Sequence, residues 1–392
     1  MKNSKRVTYG FVFTVLIFLS LVSCHKTSKQ HHYTVEGQLS NSNNEWVMIY
    51  KLSPLSVVKL DSAQLDAAGS FEMEFSAPDS VELLLLSVKN YPQRITLLMS
   101  AGEKVNIEGD ATALNKTYRV SGAKGSVALR QLAHTLNNMM DKADSVYLAF
   151  RASKDTAHVK ERAAHTDSLL MNIYAGAHDF VKSFCLENSD NLAGVVGLYS
   201  KFGTERVLDF DKDFDVFKTV AGGVSRRYPD NEHAADLSGR VNEIIEKKNH
   251  LREIEKTLEA GNKAPDLILP TPEGKRLELS AFKGKYLALY FWISKDKDCW
   301  DTNEELKSIY KKYKNKNFDI LSVSMEKDKL VWVNTIALDR LTWKQVIADE
   351  NTYKIYNLND KPRLFLIDPQ GLITAKDISA DSLNTILSQV LK

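Results

Sequence analysis

The chain has 392 residues, a length that suggests two or three domains rather than one. Hydrophobic residues make up 43% and charged residues 26%, an ordinary globular balance. The formal net charge is +2, from 52 basic against 50 acidic residues, and it becomes 49 minus 50, or −1, without Lys2, Lys5 and Arg6. This balance excludes a charge-driven association with nucleic acid, and we expect no nucleic-acid partner.

Residues 1–23 have the pattern of an export signal. The basic segment MKNSKR precedes the apolar segment VTYGFVFTVLIFLSL, which is too short and too early for a membrane span. The apolar segment ends in LVSC, residues 21–24, which resembles the lipobox of bacterial lipoproteins. That resemblance implies that residues 1–23 are removed and that Cys24 carries a stable lipid anchor. The alternative is an ordinary secreted protein that is cut near Ser23.

Residues 24–32 are polar and predict a solvated tether. Metal binding by the tether's histidines is the less favoured alternative. The tether has no run of acidic residues, which in related lipoproteins directs display on the outer surface. We therefore expect a periplasm-facing protein in the cell envelope, whose partner is the outer or inner membrane through Cys24. Only Cys185 and Cys299 then remain, too few for a disulfide framework.

Residues 33–122 show the alternation and the frequent turns of short β-strands. Short strands with turns at close intervals predict an antiparallel sandwich or a small barrel. Three stretches resemble a β-rich domain of unknown function that commonly precedes thioredoxin-like domains in periplasmic lipoproteins. They are VKLDSAQLDAAGSFEMEF, TLLMSAGEKVNIEGD and YRVSGA. The resemblance implies an N-terminal all-β sandwich and assigns no chemical role to any residue.

Residues 123–258 place apolar side chains at steps of three and four, which predicts a central α-helical region. Cys185 lies on an apolar helical face in this region. We interpret Cys185 as a small buried hydrophobic residue rather than a redox centre.

Residues 259–392 alternate strands and helices, as an α/β domain does. The continuous apolar run YLALYFW predicts a strand that is covered on both faces. FDILSVSM, LFLID and ITAKDI predict further strands, and the C-terminal segment predicts a helix capped by Ser379 or Asp381.

The order of motifs in this region resembles the TlpA-type thiol-disulfide reductases and, more distantly, the alkyl-hydroperoxide-reductase (AhpC/TSA) group. The motifs are APDLILP, LSAFKGK, an apolar strand that ends in Phe-Trp, and KPRLFLIDPQG. The resemblance implies a thioredoxin-like fold of the kind used in cell redox homeostasis. It aligns FWISKDKDC with Phe-Trp-Ala-x-x-Cys-x-x-Cys. Cys299 then occupies the resolving-cysteine position, Asp296 replaces the nucleophilic cysteine, and Pro362 corresponds to the cis-proline that faces them.

Because Asp296 stands at the position of the nucleophilic cysteine, the chain lacks the residue that begins thiol–disulfide exchange. Exchange needs a thiolate and then a second thiol, and the first cysteine is activated by the N-terminus of a helix. Asp296 can accept the same backbone N–H groups as an N-cap, but it supplies no nucleophile. Cys299 lies one turn into the helix, where we expect less exposure and a pKa near or above that of a free thiol.

Other residues near the site also depart from the pattern of active relatives. Tyr290 stands where active relatives often carry a buried acid, and Lys295 and Lys297 oppose the helix dipole unless they are solvated or face a ligand. The Pro-x-x-x-Thr-x-x-Cys motif of peroxidases is absent from the sequence. We expect the four tryptophans of this region to pack rather than to stack on a ligand: Trp292, Trp300, Trp332 and Trp343.

The sequence leaves three hypotheses for function. We favour a membrane-anchored periplasmic thioredoxin-like lipoprotein with a degenerate site, which is non-catalytic and binds an extended protein segment near Pro362 or has a structural role. The alternative is a thiol-disulfide oxidoreductase that acts through Cys299 alone. A solute-binding lipoprotein that uses the β-domain has no specific residue in its favour. We expect no cofactor and no metal.

Overall fold

The computed structural model describes residues 31–42, 44–78, 80–359 and 361–391. The predicted signal segment and the predicted lipidation site Cys24 lie outside the described residues. The chain divides into two compact units, residues 1–239 and residues 240–392. None of the described helices combines the length and the apolar run that a membrane-spanning helix needs.

The first unit begins with eight strands in two sheets. They are β1 (His31–Ser40), β2 (Trp46–Leu52), β3 (Val57–Gln64), β4 (Ser70–Ala77), β5 (Glu82–Val88), β6 (Arg94–Met99), β7 (Lys104–Asp110) and β8 (Arg119–Ser121). The sheet orders are β4-β1-β7-β8 and β3-β2-β5-β6. Because strand side chains alternate between faces, each sheet turns one apolar face toward a common core, which includes Val35, Ile49, Leu86 and Ile107. The predicted N-terminal β-rich domain is confirmed, although β1 and β7 pair in parallel.

Strand β1 begins at His31, so the tether ends earlier than residue 32, where we had expected it to end. The register explains this, because His31 and His32 pair with Ala77 and Ser76 at the end of β4. Backbone hydrogen bonding in the sheet therefore includes both histidines, despite their polar side chains.

One short helix, α1 (Leu114–Thr117), lies between β7 and β8, and the other helices of this unit follow the sandwich, as predicted. They are α2 (Lys124–Ala152), α3 (Val159–Glu187), α4 (Leu192–Leu198), α5 (Phe214–Arg227) and α6 (Glu232–Thr257), with the short pair β9 (Lys201–Phe202) and β10 (Glu205–Arg206) between α4 and α5. The boundary between the compact units lies within α6, earlier than the expected end of the helical region at residue 258. The end of α6 belongs with the second unit because Ile254 and Leu258 pack in its core. The division of residues 33–258 into two domains stays a prediction.

The second unit is built on a five-stranded sheet. Its elements are β11 (Ile268–Pro270), β12 (Arg276–Glu278), β13 (Tyr286–Trp292), α7 (Lys297–Tyr313), β14 (Phe318–Ser324), α8 (Lys329–Leu338), β15 (Lys344–Ile347), α9 (Glu350–Ile355), β16 (Arg363–Ile367), β17 (Ile373–Ala375) and α10 (Ala380–Val390). The sheet order is β15-β14-β13-β16-β17, with β13, β14 and β15 parallel and the other pairs antiparallel. Central β13 is buried along nearly its whole length, as its continuous apolar sequence predicts. Ser379 caps α10 by accepting the N–H of Ser382.

Candidate functional site

The candidate site lies where β13 ends and α7 begins. Asp296 has an extended backbone conformation, and its Oδ1 accepts the backbone N–H of Asp298 at 2.8 Å. This is the geometry of an N-cap, which satisfies one of the N–H groups that a helix start leaves without a partner. The carboxylate therefore uses the same helix start that would activate a thiolate at this position.

Cys299 is 0% exposed. It begins the buried stripe of α7, which continues through Asn303 and Leu306 at four and seven residues further on. This helical spacing turns all three side chains toward the sheet. Burial raises the pKa of the Cys299 thiol, and the nearby carboxylates of Asp296 and Asp298 raise it further. The thiol is therefore protonated and shielded at neutral pH.

Tyr290 lies behind Cys299 on the central strand and is also buried. Burial raises the pKa of Tyr290, with the neighbouring Cys299 as the next cause. The Tyr290 hydroxyl opposes part of the rise in the pKa of Cys299, yet it makes no hydrogen bond of good geometry to any described residue. A phenol in this position cannot exchange a proton near neutral pH, as a buried carboxylic acid can.

The loop between β13 and α7 is fixed by hydrogen bonds from both sides. Ser294 donates its backbone N–H to Glu326 Oε1 at 2.8 Å, and its hydroxyl donates to the same oxygen. Trp300 donates its indole N–H to the carbonyl of Ser294 at 2.6 Å. These contacts hold an exposed tryptophan beside the helix start.

Trp300, which we expected to pack rather than to stack on a ligand, is 54% exposed, and that expectation stays a prediction. Trp300 is one residue beyond Cys299, and a step of about 100° around the helix moves it off the buried stripe. Trp292, Trp332 and Trp343 are buried as predicted.

Pro362 lies at the same edge of the sheet as Asp296. Phe291 pairs with Arg363 in the antiparallel β13–β16 register, so the next pair along would place Pro362 opposite Trp292, at the strand end that leads to Asp296. The expectation of a cis-proline is wrong, since no peptide bond among the described residues is cis and Lys361–Pro362 is therefore trans. The resemblance fixes the position of the proline, whereas the isomer depends on tertiary contacts, and trans is the intrinsically preferred form.

Arg363, directly after Pro362, is buried in a network of charged groups that sequence reasoning missed. Its guanidinium binds Asp377 at 2.8 Å through two nitrogens, and Glu255 at 3.0 and 3.1 Å. Burial would lower the pKa of Arg363, but these carboxylates raise it overall. Burial would likewise raise the pKa of Glu255, but hydrogen bonds from Arg363 and Asn357 lower it overall. The sequence did contain a signal for this network: Arg363 begins the apolar strand RLFLI, and a charged side chain that is buried needs oppositely charged partners.

The structure thus brings Asp296, Cys299 and Pro362 to one edge of the sheet. Neither Cys185 nor Cys299 forms a disulfide, and both are buried. Among the described residues, no group of three or more His, Cys, Asp or Glu side chains is arranged to hold a metal ion.

Comparison with known proteins covers this second unit. Residues 260–376 match the AhpC/TSA family. The thiol-disulfide oxidoreductase ResA of Geobacillus kaustophilus is 33% identical over 119 residues, which are 30% of this chain and 68% of that protein. A ResA protein of Bacillus cereus is 30% identical over 123 residues, which are 31% of this chain and 70% of that protein. A solved thiol-disulfide oxidoreductase from Bacteroides fragilis is 36% identical and covers 33% of this chain and 100% of its own, with a TM-score of 0.32.

The chain belongs to the thioredoxin-like AhpC/TSA family. The predicted thioredoxin-like fold of the C-terminal region is thereby confirmed. The matched relatives are thiol-disulfide oxidoreductases, and the family match leaves residues 1–259 and 377–392 uncovered.

Proposed function

We propose that the chain is a lipid-anchored, periplasm-facing member of this family that does not carry out two-cysteine exchange. Its second unit serves as a non-catalytic module that binds an extended protein segment or has a structural role. One observation carries this proposal: a carboxylate caps α7 at the nucleophile position, while the remaining thiol is 0% exposed and has a raised pKa. A protein disulfide has no thiolate to meet at this helix start.

Reduction of insulin by dithiothreitol, followed as turbidity, tests the proposal with four matched chains. The wild type and Cys299→Ser should not exceed the rate without protein. Asp296→Cys should accelerate the reaction, because it places a thiol at the activating helix start and leaves Cys299 to resolve the mixed disulfide. Asp296→Cys with Cys299→Ser should turn over more slowly than Asp296→Cys, because only dithiothreitol is then left to resolve the mixed disulfide. Wild-type turnover that Cys299→Ser abolishes would instead support an oxidoreductase that acts through Cys299.

The exposed face of Trp300 supports the binding role. Its ring is braced by the bond to Ser294 and lies beside the helix start, and tryptophan is a frequent anchor of bound segments. Lys361 is exposed and Pro362 half-buried, and the β16 register brings both toward the same loop. We propose that an extended segment covers Trp300 and passes along Lys361.

Trp300→Ala in the Asp296→Cys background makes this binding measurable. The KM for insulin should rise by about tenfold, in line with the ~1.4 kcal/mol or more that a hot-spot residue contributes, while kcat changes less. Trp46→Ala, at an exposed tryptophan in the first unit, is the matched control. Equal KM values for the two variants would contradict a role of Trp300 in binding.

The lipid anchor at Cys24 is proposed from the LVSC motif alone. Cys24→Ser should move the chain from the membrane fraction to the soluble fraction of the envelope, because a polar tether gives no other stable anchor. A wild-type chain without acyl groups on Cys24 by mass spectrometry would contradict it.

A further inference from the structure

Exposed apolar side chains cluster on the β2–β3 hairpin of the first unit. Leu55 is 94% exposed, Val57 and Val58 are each 52% exposed, and Leu60 is 37% exposed. We call these four residues the hairpin patch. Single exposed apolar residues are ordinary, but four within six positions mark a surface that is covered in use.

The hairpin patch is held in place by polar contacts at the base of the turn. Ser53 Oγ donates to Glu232 Oε1 at 2.8 Å, and the carbonyl of Leu52 lies 2.7 Å from the imidazole of His233. Lys51 pairs with Glu232 at 3.1 Å. These contacts fix the turn from one side, so the exposed apolar side chains, which point to both faces of β3, are carried on a fixed support.

The hairpin patch lies at the end of the sandwich where the described chain begins. Strand β1 starts at this end, as do β3, β5 and β7, while β2, β4 and β6 finish there. Side-chain contacts connect the two places through residues 80–82. Tyr33 Oη donates to the carbonyl of Ser80 at 3.3 Å, and Lys51 pairs with Glu82, two residues further on, at 3.0 Å.

The length of the tether limits how far this end can lie from the proposed anchor. Six residues separate Cys24 from His31, and even a fully extended chain over these seven Cα–Cα steps spans at most about 25 Å. We propose that the hairpin patch rests on the surface of the bilayer that holds the lipid of Cys24. This inference rests on the proposed lipid anchor and goes beyond it by naming a second contact with the membrane.

The chemistry of the hairpin suits a lipid surface. Leucine and valine side chains can enter the boundary between headgroups and acyl chains, and Lys59, between Val58 and Leu60, can reach lipid phosphates. Lys51 does not add to the basic charge, because Glu82 and Glu232 pair with it.

A second copy of the chain fits the hairpin patch less well. Strand β3 is the edge of its sheet, and an exposed apolar edge can pair with another strand. However, the β2–β3 register shifts between Ile49 and Tyr50, and Lys59 lies at that irregularity. A bulge and a lysine are the features by which natural edge strands avoid such pairing.

Fluorescence at a single engineered thiol tests the contact on the full lipidated chain. Leu55→Cys carries an environment-sensitive probe, and Ala67→Cys, in the exposed β3–β4 turn at the opposite end, is the matched control. Cys185 and Cys299 are buried and should not label under native conditions.

The vesicles contain phosphatidylethanolamine and phosphatidylglycerol with brominated acyl chains. The probe at Leu55 should lose about half of its fluorescence or more, because an interfacial residue lies about 5–10 Å into the headgroup and acyl boundary. The control should lose none.

Mass spectrometry of the Cys24 peptide separates failure of this inference from failure of the anchor. If Cys24 is acylated and the two probes respond alike, the hairpin contact is wrong and the anchor stands. If Cys24 carries no lipid, both are overturned. If the Leu55 probe becomes buried in a Cys24→Ser chain without vesicles, in proportion to protein concentration, a second copy occupies the patch and the inference is overturned.

Discussion

The surroundings of the two buried cysteines differ, although both side chains are 0% exposed. Cys185 lies near the end of α3, packed against α4, and its thiol contacts the carbonyl of Gly194 at 3.5 Å. Burial is the single cause that raises the pKa of Cys185 to about 12. Around Cys299, burial also raises the pKa, but the backbone of Ile293 and the hydroxyl of Tyr290 oppose that rise.

This difference separates a cysteine surrounded only by packing from one that lies at a helix start beside a polar group. Cys185 has no polar group that favours its thiolate, which is the environment of a structural cysteine. Cys299 keeps a helix start, a strand end and a polar neighbour, and it lacks only access and a partner thiol. In this chain, therefore, the thiol of Cys299 is buried in the first turn of α7, while Asp296 holds the cap position of that helix.

The largest expected effect is the protection of both thiols from alkylation. Iodoacetamide should label each cysteine about 1000-fold or more slowly in the native chain than in denaturant, because access requires an opening that costs several kcal/mol. Cys299 should label before Cys185, since it lies in the first turn of its helix, where fraying is easiest. The variants Cys185→Ser and Cys299→Ser assign each rate. Rapid labelling of Cys299 in the native chain would show that its thiol is accessible and activated, which would contradict the conclusion that burial keeps it unreactive.

The second effect concerns the packing around Cys185. A Cβ atom added at Gly197 would lie 2.6 Å from Cys185 Sγ, so Gly197→Ala should lower the free energy of unfolding by about 1–3 kcal/mol. Gly176→Ala in α3 is the control, because nothing lies within 4 Å of its added Cβ, and it should stabilise by about 0.5–1 kcal/mol. Cys185→Ala should partly rescue Gly197→Ala. If urea denaturation shows no gain in stability when Cys185→Ala is added to Gly197→Ala, the contact with Cys185 Sγ is not what destabilises Gly197→Ala.

The third effect is a loss of stability in alkali. The folded pKa of Cys185 is about 12 against an ordinary 9.0, so the unfolded chain loses its proton first as pH rises. The contribution of the protonated Cys185 thiol to the free energy of unfolding is fully present below about pH 9. Above that pH it falls by about 1.4 kcal/mol per pH unit until the folded thiol also ionises. Between pH 8 and pH 10, the wild type should therefore lose about 1.4 kcal/mol more than Cys185→Ala in denaturant titrations. Equal losses would mean that the thiol ionises alike in both states.

The smallest effect is at the helix start. Asp296→Ala should lower the free energy of unfolding by about 1 kcal/mol, because Asp298 N–H loses its acceptor. Asp296→Asn keeps a capping oxygen and should remain near the wild type. Thermal denaturation of the three chains measures the difference. If Asn and Ala destabilise the chain equally, the charge of Asp296, rather than its hydrogen bond, supports α7.

The local patterns of the sequence determined most of the secondary structure and part of the site. Alternation in residues 33–122, helical steps in residues 123–258 and the apolar run YLALYFW were sufficient because they depend on neighbours a few positions apart. The capping contact of Asp296 followed for the same reason, since a cap and its N–H group lie within one turn.

Tertiary structure decided what depends on groups distant in sequence. The network that joins Arg363 to Asp377, 14 positions away, and to Glu255, 108 positions away, arises from contacts between residues distant in sequence, and so does the end of the first unit within α6. The position of the hairpin patch beside the start of β1 is of the same kind. A sequence shows which residues need partners, but packing selects the partners, because burial of a charge or an apolar face is stabilised only by the surface that meets it.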